Sequence, residues 1–314
     1  MRKPGPIWPR VTAWVSREAQ DRDCGNDRDP TLHGPLRLNG SFRRSDARIG
    51  AAAGAPCSSV AFGFPSPPAG PPTRKDAMMP HDRPRLPDDG RPVVLAHKTF
   101  LASREALASL SLKDRFRFIH DHNLWGAATS ASGLGSEAGA TRAIRDGLPG
   151  LLDGLGVATL LDAPCGDAGW IVGVDLGAIR YVGVDIVPDL IARNRTEHPP
   201  GFEFRVADIT RDTLPEADAI LCRDGLVHLS FSNIDGALAN FRRSGARWLV
   251  TTTFTQWQAN RDCEDGDWRA LNFERAPFAW GPPLRLLDER CEEGGGGWRD
   301  KSLAVWDLAA TARP

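Results

Sequence analysis

The sequence predicts an α/β fold, in which a doubly wound, mostly parallel sheet of about seven strands ends in a C-terminal antiparallel hairpin. Short β-type runs alternate with helical runs between residues 159 and 253, and this alternation is typical of parallel βαβ units. Two further β-type runs flank the glycines of 294–297, which indicates the hairpin. No apolar run approaches the roughly 18 residues that a membrane-spanning helix needs.

Residues 1–92 differ from the rest of the chain in composition. They hold 15 of the 25 prolines, and 15 basic against 10 acidic residues, although the whole chain has a net charge of −1. Such a segment buries too little apolar surface to offset the entropy lost on ordering. We expect either a disordered extension or a natural start at Met78 or Met79, and the acidic residues argue against an organelle transit peptide.

The folded domain is expected over residues 93–314, with an N-terminal helical lid region at 93–157 and the core at 158–314. In the lid region, apolar spacing predicts one amphipathic helix over 101–122 and a second from Ile144 to Leu155. The core strands are predicted at Thr159–Ala163, Tyr181–Asp185, Phe202–Val206, Ala219–Cys222 and Trp248–Thr253. Core helices are predicted at Asp189–Asn194 and Ile234–Arg243, and the hairpin strands at Leu284–Asp288 and Ser302–Leu308.

The cysteines and the charge balance restrict the class of protein. The six cysteines are widely spaced and form neither a CxxC pair nor a zinc-type pattern with histidine. We therefore expect reduced thiols, a cytoplasmic location and no metal site. A chain so close to neutrality, with an acidic folded part, indicates neither a nucleic-acid partner nor a membrane surface.

The loop after the first predicted strand is the most informative segment of the sequence. It reads Asp162-Ala163-Pro164-Cys165-Gly166-Asp167, and open α/β sheets bind ligands at the carboxyl ends of such strands. Gly166 allows a tight turn and the close approach of a ligand to the backbone. The second and third strands also end in acidic residues, Asp185 and Asp208. An acidic residue at the second position can accept hydrogen bonds from both hydroxyls of a ribose.

Each of these aspartates has an ordinary structural alternative, because aspartate after a strand is also a common helix N-cap. Three aspartates in equivalent positions, together with the glycine loop, favour a crevice that binds a nucleoside.

These motifs resemble those of the class I S-adenosylmethionine-dependent methyltransferases, and the resemblance extends from about Trp125 to Leu308. The loop is most similar to that of an uncharacterised bacterial subgroup with a D-x-P-C-G-D pattern. The resemblance implies a Rossmann-like fold and S-adenosylmethionine as the cofactor. It also implies that Asp162, Gly166 and Asp167 surround the methionine part of the cofactor, that Asp185 holds the ribose and that Asp208 holds the adenine amine.

Candidates for chemistry follow the fourth strand, beside the expected methyl group. Asp224 and His228 are four residues apart and share a face if Gly225 onward is helical. The Asp224 carboxylate is then expected either to orient the His228 imidazole as the base that removes the acceptor's proton or to replace it as that base. The alternative is that Asp224 caps a helix and His228 packs in the core. Trp125 is expected in a lid over the cofactor, and Arg269 and Asn272 in the pocket of the methyl acceptor.

The sequence thus predicts methyl transfer to an oxygen or nitrogen of a small-molecule acceptor, and it leaves the oligomeric state open. Two alternatives remain at this point. The first is an NAD(P)-dependent oxidoreductase, against which the loop lacks the three glycines of a pyrophosphate turn. The second is a non-catalytic protein that binds a nucleoside.

Overall fold

The computed structural model describes residues 90–311, so the predicted N-terminal extension lies outside the described residues except for its last three. The helices of ten or more residues are α1 (Leu95–Leu107), α2 (Leu112–Asp121), α3 (Arg142–Asp153), α4 (Pro188–Glu197) and α5 (Phe231–Arg243). The strands are β1 (Thr159–Asp162), β2 (Arg180–Asp185), β3 (Phe202–Val206), β4 (Ala219–Cys222), β5 (Trp248–Phe254), β6 (Arg285–Asp288) and β7 (Lys301–Asp307).

The seven strands form one sheet in the order β3-β2-β1-β4-β5-β7-β6. The first five strands are parallel, and β7 pairs antiparallel with both β5 and β6. This arrangement confirms the predicted fold class, including the C-terminal antiparallel hairpin. The chain runs outward from β1 to β3 and then returns to begin β4 on the other side of β1. This reversal creates a crevice at the carboxyl ends of β1 and β4.

Both faces of the sheet are covered, because successive residues of each strand point to opposite sides. In β1, Leu161 packs into a core with the apolar face of α5, whereas Leu160 packs into a second core with α3 and α4. The central strands are therefore apolar on both faces, which is typical of parallel sheets. In β1 and β2 the acidic residues, Asp162 and Asp185, lie at the carboxyl ends of the strands.

The lid region differs from the prediction, because the chain makes two helices where the spacing predicts one over 101–122. Helix α1 ends at Leu107 and α2 begins at Leu112. Ser111 interrupts the helix: its side-chain oxygen accepts a hydrogen bond from the backbone N–H of Asp114 at 3.2 Å, as an N-cap does. The predicted helix from Ile144 corresponds to α3, which continues through Pro149.

Two further observations concern the described residues. No helix within residues 90–311 has both the length and the apolar character that crossing a bilayer requires. The cysteines in this range, Cys165, Cys222, Cys263 and Cys291, are free thiols.

Candidate functional site

The structure brings the three strand-end aspartates to one cavity. Asp162, Asp185 and Asp208 are all buried and all line a cavity of about 990 Å³ at the carboxyl edge of the parallel strands. Most of the remaining wall is apolar, with Leu112, Phe116, Ile186, Val187, Leu190, Ala207 and Ile209. We refer to this space as the first cavity. A mostly apolar wall with a few polar groups is typical of a site for a cofactor or another small molecule.

Asp185 is held by the backbone around the glycine loop. The N–H of Gly166 donates to its Oδ2 at 3.2 Å, and the N–H of Val187 donates to its Oδ1 at 3.0 Å. Burial raises the pKa of Asp185, and these backbone hydrogen bonds oppose that effect. A carboxylate fixed in this way can accept further hydrogen bonds from a pair of hydroxyl groups in the cavity.

Asp162 lies deeper, with its carboxyl group almost fully buried. The hydroxyl of Tyr181 donates to its Oδ2 at 2.7 Å. Burial raises the pKa of Asp162 to about 7, although the hydrogen bond from Tyr181 and the charge of Arg223 act in the other direction. Within residues 90–311, no cationic side chain forms an ion pair with this carboxyl, so a positively charged group of a ligand would favour its ionised form.

Asp208 follows β3 and is tied to its own loop. Its Oδ1 accepts hydrogen bonds from the N–H of Thr210 at 2.9 Å and from the hydroxyl of Thr210 at 2.6 Å. The Nε of Arg211 lies 2.8 Å from its Oδ2. The side chain thus lines the first cavity with its position fixed.

Asp167 has a different role from the one predicted, because it does not line the first cavity. Its carboxylate accepts hydrogen bonds from the hydroxyl of Ser130 and the N–H of Ala131, both at 2.7 Å. Its own N–H donates to the hydroxyl of Ser132 at 2.8 Å. Asp167 therefore fastens the loop of residues 126–136, which we call the lid, to the loop after β1.

The contact between the lid and the loop after β1 requires a glycine at position 166. Its φ is +55°, and a Cβ at this position would lie 2.1 Å from the hydroxyl oxygen of Ser132. The lid can close against the β1 loop only because this residue has no side chain.

Trp125 precedes the lid and lines the first cavity. Its ring also packs on the imidazole of His228, with the ring centroids 4.7 Å apart. Trp125 and His228 both line a second cavity of about 570 Å³, which adjoins the first. We call the place where they meet the junction.

The surroundings of His228 at the junction determine which of its ring nitrogens carries the proton. Its Nδ1 lies 2.8 Å from the carbonyl oxygen of Asp267. A carbonyl only accepts hydrogen bonds, so Nδ1 carries the proton and Nε2 keeps its lone pair. Burial lowers the pKa of His228 to about 4, which keeps the ring neutral near pH 7. The structure therefore presents an unprotonated imidazole nitrogen.

Asp224 also reaches both cavities, but its partners differ from those predicted. Residues Leu226–His228 form a single 3-10 turn, so the α-helical spacing assumed for Asp224 and His228 does not occur. The Asp224 carboxylate lies 2.6 Å from the Nζ of Lys301 and 3.4 Å from the guanidinium of Arg223. These cations outweigh the effect of burial and lower the pKa of Asp224. The carboxylate is therefore a weak base and does not orient His228.

Glu289 completes this group of buried charges. Its Oε2 accepts a hydrogen bond from Arg223 at 2.8 Å and lies 3.4 Å from the Nζ of Lys301. Two carboxylates and two cations thus compensate one another below the junction. Sequence reasoning missed Lys301 and Glu289, although a lysine at the start of a buried hairpin strand is a signal that such a partner exists.

Arg269 and Asn272 require a correction, because neither lines the two cavities. The guanidinium of Arg269 donates to the backbone carbonyls of Leu226 and Leu229. The amide of Asn272 likewise donates to backbone carbonyls, including that of Trp257 at 2.9 Å. Both side chains are buried and hold loops in place, so their donors are not available to an acceptor.

The donor groups in the described part of the chain do not suggest a metal. Within residues 90–311, no three His, Cys, Asp or Glu side chains lie together in a way that suits a metal ion. The chemistry of the first cavity is that of carboxylates and apolar walls.

Comparison with known proteins identifies a family for part of this chain. Residues 161–246, from β1 through α5, match the family described as a methyltransferase domain, which confirms the superfamily predicted from the sequence. No curated protein matches the sequence.

Several solved structures are similar to this chain. The magnesium protoporphyrin IX methyltransferase of Synechocystis PCC 6803, solved with bound SAH, is 12% identical with a TM-score of 0.36, covering 49% of this chain and 81% of its own. The methyltransferase domain of bacterial CtHen1-CN is 13% identical (TM-score 0.33; 36% and 66% covered). A Pyrococcus horikoshii OT3 protein is 21% identical (TM-score 0.32; 37% and 58% covered). The chain thus spans less than two thirds of the length of the last two, and the assignment rests on the family match.

Proposed function

We propose that this chain, which contains a class I S-adenosylmethionine-dependent methyltransferase domain, transfers the methyl group to an oxygen or nitrogen of a small molecule. The junction carries this proposal. There a neutral histidine, with its lone pair on Nε2, stands between a cavity that suits the cofactor and a second cavity that suits an acceptor. Bound S-adenosylmethionine supplies an electrophilic methyl group on a sulfonium, and the displacement leaves S-adenosylhomocysteine.

The residues of the first cavity fit this cofactor. Asp185 accepts hydrogen bonds from the ribose hydroxyls, since its carboxylate lines the cavity and is fixed by two backbone N–H groups. Asp162 and the backbone of Gly166 receive the methionine end, whose ammonium group compensates the buried carboxyl. Asp208, beside Ile209 in the lining, receives the adenine amine. The lid covers the cofactor through the contacts of Asp167.

His228 removes the proton of the acceptor. When the acceptor's oxygen or nitrogen attacks the methyl carbon, its proton passes to Nε2, and the Nδ1–H bond to the Asp267 carbonyl steadies the imidazolium that forms. Asp224 does not compete for this proton, because Lys301 and Arg223 keep it ionised. We assign Asp224 to positioning: its ion pairs hold the wall of the junction.

Calorimetric titration of the full chain with S-adenosylhomocysteine tests the cofactor site. We expect saturable binding that Asp185→Ala abolishes and that Asp189→Ala, at the exposed start of α4, retains. NADH should not bind. The absence of binding to the folded wild-type protein would refute the proposal, and binding without transfer to any oxygen or nitrogen acceptor would identify a non-catalytic binding protein instead.

A further inference from the structure

The second cavity has a wall of aromatic rings. Phe254, Trp268 and Trp298 line it together with Trp125. The first three rings pack edge to face, with the centroids of Trp268 and Trp298 4.9 Å apart and Phe254 within 5.7 Å of both. Such mutual packing fixes the rings, so the cavity offers a rigid surface to an apolar or aromatic ligand.

The charge of this cavity is unbalanced. Asp224 and Glu293 line it with Lys301, while His228 is neutral, which leaves one net negative charge. Lys301 contacts Asp224 at 2.6 Å, so that pair is compensated. Glu293 is half-buried, and no residue of 90–311 forms an ion pair or hydrogen bond with its carboxylate. Burial raises the pKa of Glu293. A cation beside it would relieve this desolvation and keep it charged.

Glu293 lies where the second cavity meets a neighbouring groove. The groove shares Leu134, Gly135, Glu293 and Lys301 with the second cavity. The second cavity in turn shares Trp125, Asp224 and His228 with the first cavity. A ligand in the second cavity therefore has both Glu293 and the junction among its neighbours.

We propose that the second cavity is the acceptor site and that it takes an arylalkylamine, an aromatic ring with a protonated amine on an alkyl arm, that carries a second nucleophile. The ammonium group of the acceptor lies beside the Glu293 carboxylate, which no cation of residues 90–311 pairs with. The aromatic body packs on the wall of Phe254, Trp268 and Trp298. A hydroxyl or neutral nitrogen at the other end reaches His228 and is methylated. This inference rests on the function proposed above and names its acceptor class.

Three probes that share a phenol and a short alkyl arm separate the contribution of charge from that of the aromatic body, and the amine and the alcohol are equal in size. Tyramine, 4-hydroxyphenylethanol and 3-(4-hydroxyphenyl)propanoate share a phenol and differ in carrying a positive, a neutral or a negative end. Their affinities are measured by calorimetry on the full chain saturated with S-adenosylhomocysteine. We expect tyramine to bind about tenfold more tightly than the alcohol, an advantage of about 1.4 kcal/mol, and the acid to bind most weakly.

Glu293→Gln should remove the advantage of tyramine over the alcohol without changing the affinity for either the alcohol or S-adenosylhomocysteine. The matched control is Glu292→Gln, because Glu292 is the exposed neighbour that does not line the second cavity. With S-adenosylmethionine, tyramine should give S-adenosylhomocysteine and an O-methylated phenol.

Equal affinities for the amine and the alcohol, equal effects of the two variants, or no binding of any probe would overturn this inference. Normal binding of S-adenosylhomocysteine in the same experiment would show that the function proposed above still stands. Its absence would refute that function as well.

Discussion

Replacing Asp162 with asparagine should stabilise the protein above neutral pH while weakening its affinity for the cofactor. The carboxyl is buried and burial raises its pKa from 3.8 to about 7. Folding therefore favours the protonated form, and the stability that this group contributes below pH 4 is lost as the pH rises through about 7. Between pH 5 and pH 8 the wild-type protein loses about 3 kcal/mol through this one group.

Asparagine keeps the shape of aspartate, and its carbonyl oxygen can still accept the hydrogen bond from Tyr181. The assay is denaturant unfolding at pH 5, 6, 7 and 8 for the wild type, Asp162→Asn and the exposed control Asp153→Asn. The difference between Asp162→Asn and the wild type should grow by about 3 kcal/mol from pH 5 to pH 8, and that of the control should not change. A constant difference would refute the argument that burial sets this pKa.

Three further predictions concern the groups around the two cavities. Asp185→Asn should weaken S-adenosylhomocysteine binding about 30-fold by calorimetry, since lost hydrogen bonds to a charged group cost roughly 1.5–3 kcal/mol, whereas Asp189→Asn should not. His228→Gln should lower turnover of tyramine about 100-fold or more. With saturating S-adenosylmethionine, the rate of Asp162→Asn should stay level from pH 6 to 9 because the pKa of His228 is about 4; an acid limb near pH 6.5 in this variant, which lacks the Asp162 carboxyl, would contradict a neutral imidazole. Asp167→Ala should speed hydrogen exchange of the lid amide of Ala131, which donates to it, and similar exchange in Asp167→Ala and the control Asp175→Ala would argue against the fastening of the lid.

The parts of the molecule that the sequence predicts well are those with local signals. The five parallel strands lie within one residue of their predicted ends, because each is a short apolar run bounded by turn residues. The aspartates at the ends of β1, β2 and β3 follow directly from that register, since parallel strands place their carboxyl ends at one edge. The break between α1 and α2 has a local signal as well, the N-cap Ser111, but the apolar spacing across it conceals the boundary.

The buried charges below the junction could not be predicted because they meet through contacts between distant parts of the chain. Lys301 lies 77 residues from Asp224, and Glu289 lies 66 residues from Arg223. They meet because β7 pairs beside β5 and carries the start of the hairpin strand to the crevice. A pattern of residues four apart suggested that Asp224 and His228 act together, whereas the actual partner of His228 is a backbone carbonyl.

The buried charges below the junction are compensated within the protein, whereas the buried carboxyl in the first cavity is not. This difference indicates what kind of ligand the first cavity binds. Below the junction, Asp224 and Glu289 are compensated by Lys301 and Arg223, so the charges there need no ligand. In the first cavity the carboxyl of Asp162 is buried with no cation in direct contact, which costs stability at neutral pH. A protein retains such a cost where function requires it. The ammonium group of a bound cofactor offsets this cost. Cofactor binding should therefore raise the free energy of unfolding most above pH 7, where the buried Asp162 carboxyl is ionised and destabilises the fold most.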